Sequence, residues 1–536
     1  MSDRPPDCAV DDGDGHGGYS PAGGLSRLNT SLEEAPPQRS LSRPAPFPHA
    51  CGSWASTACA QERRDAPLRG PQPGRLPVPV PREDWLPTAS SPQLVLRRSK
   101  IVHCARVRLY SIDTQNTVSF VSINKRRKTA VWEETMLHFR SGSSNAVNPN
   151  TAVRESLDRA FEEDDADSCN LLIVYSTVGH SFPQLIAAAR EACPTAQIVG
   201  GSGSGVIASE GVSETMRSLA LMAITGDEIS VASGAGLNGR NSADLARSVA
   251  TDLKAQSDNI NMIYVLSAGL DVSGDKVIDG IEEVFGADIT IFGLTTADNG
   301  KAKRTFQFHD ENVMEDGLVL VGFSDPSLEL VTGVHHGSVP LEAVAFEVTK
   351  CDANRILELD GQPAWPTLMA KLGLPAATPP ADALPIAGLG MDLNDEESAD
   401  YDNPQILRVP IKVSDDQQSF YLPTSVAVGT RYTLMQRDEH LIFEGVDRLM
   451  KRLGDRLAGR RPVAVFHADC MARGRLMFNR VLKDEIIAKM QHPICGDEMV
   501  PWLGIYGFSE YARLAGKNAF HSYTTSLFPI VRNVAN

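Results

Sequence analysis

The chain has 536 residues, of which 42% are hydrophobic, and a formal net charge of −16. That length fits about three domains, and the acidity excludes a general nucleic-acid binder, which needs a basic face to neutralise phosphate. No apolar run reaches the roughly 18–20 residues of a membrane span, and nine scattered cysteines without a C-x-x-C pair argue against a disulfide framework or zinc finger and for a reducing, cytoplasmic setting.

Residues 1–92 are rich in Pro, Ser and Gly, with few periodic apolar positions. Such a segment buries too little surface to offset its ordering entropy, so a disordered tail is expected. A translation start downstream of it is the alternative. No charged segment followed by an apolar stretch marks a secretory leader. From about Leu94 the pattern turns globular. VRLYSI and VSFVSI alternate apolar and polar residues around Asp113–Asn116, as a hairpin does. Residues 125–150 read as a loop or lead-in segment, and TAVRESLDRAFEE carries helical spacing. The acidic run 162–167 lacks the spacing of a calcium loop and reads as a solvated helix end.

A unit then occurs twice. NLLIVYST (170–177) is an apolar run that stops at small polar residues. The helix-like FPQLIAAAREACP, the strand QIVGG and the glycine-rich GSGSG follow. ALMAITGDEISVASGAG closes the unit as two apolar runs about a Gly-Asp turn. After the helical NSADLARSVATDLKAQ, with Asn241 or Ser242 as N-cap, the order recurs: NMIYVLSAG, KVIDGIEEVFG, ITIFGLTTADNG and LVLVGFSDPSLELVTGVHHG. The period implies a duplicated α/β layer.

FEVTKCDANRILELDGQPAWPTLMAKLG reads as strand, turn, strand, turn and helix. Residues 374–405, rich in Pro, Ala, Asp and Glu, read as a loop or linker. Strands ILRVPIKV, SFYLP and TRYTLMQ precede a long helix, HLIFEGVDRLMKRLGDRLAG. PVAVFHADC, GRLMFNRVLKDEIIAKM and WLGIYGFSEYARL then make a third echo of strand, helix and strand. Ligands of α/β sheets sit just beyond strand carboxyl ends when the strands are parallel. The fold class expected is thus mixed α/β: layered sheets flanked by helices, an internally duplicated strand–helix–strand–hairpin unit and the N-terminal tail.

Over about residues 130–530 the chain resembles the FIST sensory family, built from N-terminal and C-terminal FIST domains. The turn Gly200–Ile207, GGSGSGVI, resembles the family's G-C-S-T-A-G-E-I without its Cys and Glu. Gly293–Asp298 resembles a G-G-x-x-x-D element. TKCDANRILELDGQPA resembles the opening of the C-terminal domain, and Cys470–Arg473 its C-x-x-R. GIYGFSEY resembles G-f-Y-x-x-G-E-i, with Ser509 in place of Gly, and His521–Thr524 the closing H-N-x-T, with Ser522 in place of Asn. The resemblance implies an N-like domain at 93–337 (copies 151–239 and 241–337) and a C-like domain at 338–536 with the loop at 374–405. It also implies a non-catalytic bacterial sensory protein. Such a protein binds a small molecule, an amino acid or related metabolite, and signals to a separate partner such as a histidine kinase or other output protein.

The candidate ligand-binding residues are Arg473, Cys470, Tyr506, Glu510, His521, Thr524, Gly201 and Ser202. The glycine turn offers backbone N–H groups to an anion, or is only a turn needing positive φ. Arg473 either clamps a ligand carboxylate or forms a structural ion pair. Tyr506 and Glu510 bond a ligand or satisfy loop backbone; His521 and Thr524 bond a ligand or the closing hairpin. No cofactor is expected. One family branch senses nitric oxide through haem, for which His335 or His336 is the ligand candidate, with His180 and His309 behind them. Adjacent strand histidines point to opposite faces, so at most one enters a given pocket. A Cys- or Ser-dependent hydrolase is the further alternative, though His467 and Cys470 stand at odd spacing on a strand.

Overall fold

The structure is a computed structural model that describes residues 136–161, 168–375 and 377–533. The expected tail at 1–92, the hairpin around Asp113–Asn116 and the acidic run 162–167 lie outside the described residues.

The first unit runs β1 (His138–Ser144), α1 (Pro149–Phe161), β2 (Leu171–Thr177), α2 (Phe182–Ala192), β3 (Gln197–Gly203), β4 (Val206–Ala208), β5 (Gly211–Ser213) and β6 (Leu219–Thr225). The second repeats it as β7 (Ile229–Gly234), α3 (Ser242–Lys254), β8 (Met262–Ser267), α4 (Gly274–Phe285), β9 (Thr290–Thr295), β10 (Gln307–His309), β11 (Asn312–Met314) and β12 (Leu318–Phe323). β13 (Leu328–Leu330) and β14 (Gly333–His335) open the third unit.

A separate antiparallel sheet is then inserted. Its elements are β15 (Ser338–Asp352), β16 (Arg355–Leu359), β17 (Gln362–Pro363), α5 (Ala364–Lys371), α6 (Pro380–Ala383), β18 (Gly388–Asp392), α7 (Asp395–Tyr401), β19 (Gln405–Arg408), β20 (Lys412–Val413), β21 (Phe420–Tyr421) and β22 (Arg431–Arg437). The third unit resumes with α8 (Glu439–Leu457), β23 (Pro462–Cys470), α9 (Arg480–Cys495), β24 (Trp502–Gly507), β25 (Ser509–Leu514), β26 (Lys517–Ser522) and β27 (Thr525–Arg532).

In each unit the two strands around the second helix are parallel: β2 with β3, β8 with β9, β23 with β24. The closing strand returns antiparallel to the first of them, as β6, β12 and β27. The hairpin between them leaves its own sheet. β4 pairs β24, β10 pairs β3, and β25 pairs β9. Each unit therefore lends a hairpin to a neighbour's sheet in a closed cycle.

Three expectations differ from this arrangement. Residues 125–150, read as a loop or lead-in, contain β1 and the start of α1, because β1 completes an edge of the first sheet against β6. The apolar runs about Gly226-Asp227 do not form a hairpin: both edges of β6 are taken by β1 and β2, so the chain crosses to pair β7 with β12. Residues 374–405 are not merely a loop. Within their polar composition lie α6, β18 and α7, the last fixed by a capping box of Asn394 and Glu397.

Strand alternation divides the apolar residues between two layers. Ile173, Tyr264, Phe292, Phe466, Ile505 and Phe528 face a core shared by the unit sheets. The Phe466 ring lies 5.2 Å from Tyr264 and 5.7 Å from Phe292. The opposite faces are covered by α1 and α2, α3 and α4, and α8 and α9. Each fully buried large apolar side chain contributes about 1.5–3 kcal/mol.

Candidate functional site

The carboxyl ends of β23 and β24 lie side by side, with Asp469 opposite Tyr506 and Cys470 opposite Gly507. The glycine segment lies against them: Ser204 N–H donates to the Tyr506 carbonyl, and Tyr506 N–H to that of Gly205. Elements far apart in sequence thus meet at one sheet end.

The glycines are there for close approach rather than for a turn. Gly201 and Gly203 lie within β3. A Cβ on Gly203 would fall 2.2 Å from Ile505 Cγ1, and one on Gly201 2.6 Å from the Phe306 carbonyl oxygen. Ser202 is used up internally. Its hydroxyl donates to the Ala297 carbonyl at 2.7 Å and accepts from Phe306 N–H at 2.9 Å.

Arg473 is buried. Its Nε donates to Asp469 Oδ1 at 2.9 Å and its Nη1 to the His336 carbonyl at 3.2 Å, while Nη2 has no partner among the described residues. Tyr506 OH and Glu510 Oε1 are likewise buried without partners among the described residues. Glu510 Oε2 accepts from Thr524 Oγ1 at 2.5 Å. Burial, with Asp469 nearby, pushes the Glu510 carboxyl well above its ordinary range despite that hydrogen bond. His521 bonds Tyr401 OH at 3.3 Å and the Ala512 carbonyl at 3.2 Å. Of these residues Arg473, Tyr506, Glu510, His521 and Thr524 form the buried polar backing of the site.

Cys470 differs, because it lines a cavity of about 480 Å3, within the size range of small-molecule pockets. Met471, Ala472, Phe508 and Tyr523 join it on one wall; Leu384 and Val409–Val413 form another, and Gly300–Lys303 a third. Asp298 builds that third wall: its carboxylate accepts from Lys301 and Ala302 N–H at 2.8 and 3.0 Å and from Lys303 N–H at 2.9 Å. Ala302, Gln417 and Tyr523 line the cavity with positive φ of 48°, 52° and 60°, and such strain gathers at functional sites. Burial raises the Cys470 thiol above its ordinary value, with the Glu510 carboxyl adding to it. The thiol donates to the Phe508 carbonyl at 3.4 Å. The His467 Nε2 instead meets Thr525 Oγ1 at 2.8 Å. No activated nucleophile results from these contacts.

His335 and His336 do not line this cavity. Their rings are parallel, with centroids 6.2 Å apart, because His336 lies just past the end of β14. His336 Nε2 donates to the Gln405 carbonyl at 2.9 Å and Nδ1 accepts from Ser338 N–H at 2.9 Å. His335 packs on α8, where a Cβ on Gly445 would fall 1.8 Å from its Nε2. His180 bonds Ser176 and the Ala146 carbonyl, and His309 bonds Ser233. Among the described residues no group of His, Cys, Asp and Glu has the arrangement of a metal site.

Residues 170–362 match the FIST N domain and residues 368–513 the FIST C domain. The chain belongs to the FIST family. FIST domains are sensory domains. An uncharacterised protein of Mycobacterium bovis is 26% identical over 222 residues, 41% of this chain and 55% of the relative. The chain thus spans about half the length of that relative. An uncharacterised protein of Mycobacterium tuberculosis is 23% identical over 401 residues, 72% of this chain and 97% of the relative. Among solved structures, a cyanuric acid hydrolase from A. caulinodans aligns with a TM-score of 0.31 and 8% identity, covering 75% of this chain and 100% of that one. A chorismatase aligns with a TM-score of 0.29 and 8% identity, covering 74% and 98%.

Within the FIST motifs, Cys470 of C-x-x-R touches the cavity while Arg473 turns inward to Asp469. Tyr523, inside the H-x-x-T element, contributes its ring to the cavity wall. Asp298, the acid of the second FIST N turn, acts on the cavity through the loop it holds. Asp469 carries no sequence signal of its own, because only the fold turns Arg473, four residues on, back onto it. No described helix is long and apolar enough to cross a membrane.

Proposed function

We propose that this FIST protein senses a small molecule held in the cavity beyond β23 and β24 and passes its bound state to a separate partner. A histidine kinase or other output protein would serve as that partner. The observation that carries the reading is that the cavity is walled by the family's C-terminal motif segments, through Cys470 and Tyr523. Three features support it. The strands beneath the cavity are parallel, and ligands gather beyond the carboxyl ends of such strands. Strained backbone lines the walls. The buried polar layer of Asp469, Arg473, Glu510 and Thr524 is joined by hydrogen bonds between Arg473 and Asp469 and between Thr524 and Glu510.

A thermal-shift screen of the full chain with amino acids and related metabolites tests the reading. A ligand at a hundred times its Kd stabilises by about 2.7 kcal/mol, so a saturable rise in Tm is expected for at least one compound. No rise with any compound would count against the proposal.

A further inference from the structure

The cavity has an apolar interior and a cationic rim. Leu384, Val409, Ile411, Met471, Phe508 and Tyr523 supply the apolar part, and Lys301, Lys303 and Lys412 the rim. None of these lysines is paired with a carboxylate among the described residues, whereas the adjacent Arg304 is bound to Glu315. Lys412 Nζ lies 5.5 Å from the centre of the Tyr421 ring, which leaves Lys301 and Lys303 as the main cations. Asp415 is the one carboxylate in the lining. The local charge is therefore positive in a chain whose net charge is −16. A cleft with an excess of one sign against low-dielectric walls concentrates the opposite charge.

Resting on the cavity reading above, we infer that the ligand is a small organic carboxylate with a compact apolar body and no ammonium group. The apolar body fills the space between Phe508, Tyr523 and Ile411, and the carboxylate reaches the lysine rim. An α-amino acid fits less well. Its ammonium group would lie among the lysines or against the apolar walls, with Asp415 as its sole anionic partner in the lining. The loop that carries Lys301 and Lys303 is built in advance of the ligand, because Asp298 accepts from both backbone N–H groups. Such preorganisation lowers the cost of binding.

Titration calorimetry on the full chain, at low and high salt, tests this. The probes are benzoate, hexanoate and 3-phenylpropionate, set against phenylalanine, 3-phenylpropylamine and 3-phenylpropanol. At least one carboxylate is expected to bind about tenfold tighter than the matching alcohol or amine, and less tightly at high salt. The double variant Lys301→Gln/Lys303→Gln should lose about tenfold in that affinity, while Arg304→Gln leaves it unchanged. Phenylalanine or the amine binding in the cavity as tightly as the carboxylates, or a double variant with undiminished affinity, would overturn the inference and leave the cavity reading standing. A panel in which no probe of any charge binds would overturn both.

Discussion

Asp469 and Arg473 are joined inside the protein, Oδ1 accepting from Nε at 2.9 Å with side chains 2% and 1% exposed. The pair closes the end of β23 and turns the arginine away from the cavity. Removing one partner leaves an uncompensated buried charge, which costs about 3–5 kcal/mol. Arg473→Met should therefore lower the stability measured by urea unfolding by about that amount. Asp469→Leu/Arg473→Met should recover much of the loss. A ligand clamp would instead give a variant of normal stability that binds poorly.

Glu510 is fully buried, and burial raises its carboxyl well above the ordinary value of 4.5, so the folded chain binds this proton more tightly than the unfolded chain does. A raised carboxyl pKa makes stability fall as pH rises, by about 1.4 kcal/mol per unit for one proton. Glu510→Gln keeps an acceptor for Thr524 and removes that dependence. The variant is expected to gain on the wild type as pH rises above the ordinary carboxyl value, read by unfolding at each pH. Destabilisation throughout the range would show an ionised Glu510 instead.

The imidazoles act with the opposite sign. Burial holds His336 down to about 4 and His521 down to about 3, against an ordinary value of 6.5. Their stabilising contribution is complete above pH 6.5 and is lost as pH falls from 6.5 towards 4. The hydrogen bond from Ser338 N–H to His336 Nδ1 explains this chemically, since a protonated ring cannot accept it. His521→Gln should show a shallower acid limb between pH 6.5 and 4, by about one proton. An unchanged limb would place a charged imidazole inside the fold.

Gly203 has no room for a side chain, with Ile505 Cγ1 2.2 Å from the position of a Cβ. Gly203→Ala should destabilise by about 1–3 kcal/mol through overpacking. Ile505→Ala removes both Ile505 atoms that a Cβ would meet, Cγ1 at 2.2 Å and Cδ1 at 2.5 Å, so Gly203→Ala should cost less in an Ile505→Ala background than in the wild type. Thermal unfolding of the two single variants and the double variant decides between this and a simple turn, for which Ile505→Ala offers no relief.

Much of this architecture is legible in the sequence. The duplicated unit and its third echo appear as the order of apolar runs, and β23 coincides with PVAVFHADC. Of the FIST motif residues, Cys470, Arg473, Tyr506 and the glycine segment gather at the ends of β23 and β24, whereas residues 349–364 lie in the inserted sheet. The cyclic loan of hairpins is not legible, because β4, β10 and β25 pair with strands far away in sequence, and short strands carry no partner label. The same cause hides the cavity. Lys301 comes from the second unit, and Val409–Val413 follow a segment whose Pro, Ala, Asp and Glu content reads as linker. The glycines of β3 read as a turn because composition cannot separate positive φ from close packing.

In the function proposed above, the cavity beyond β23 and β24 holds the ligand. Ala472 lies in its wall, and Ala472→Trp fills the space with the indole. Titration calorimetry of wild type and this variant with the strongest stabilising compound is decisive. Saturable binding by the wild type is expected, with loss of at least about tenfold in affinity by a variant of unchanged fold. Equal affinity in the two proteins would contradict it.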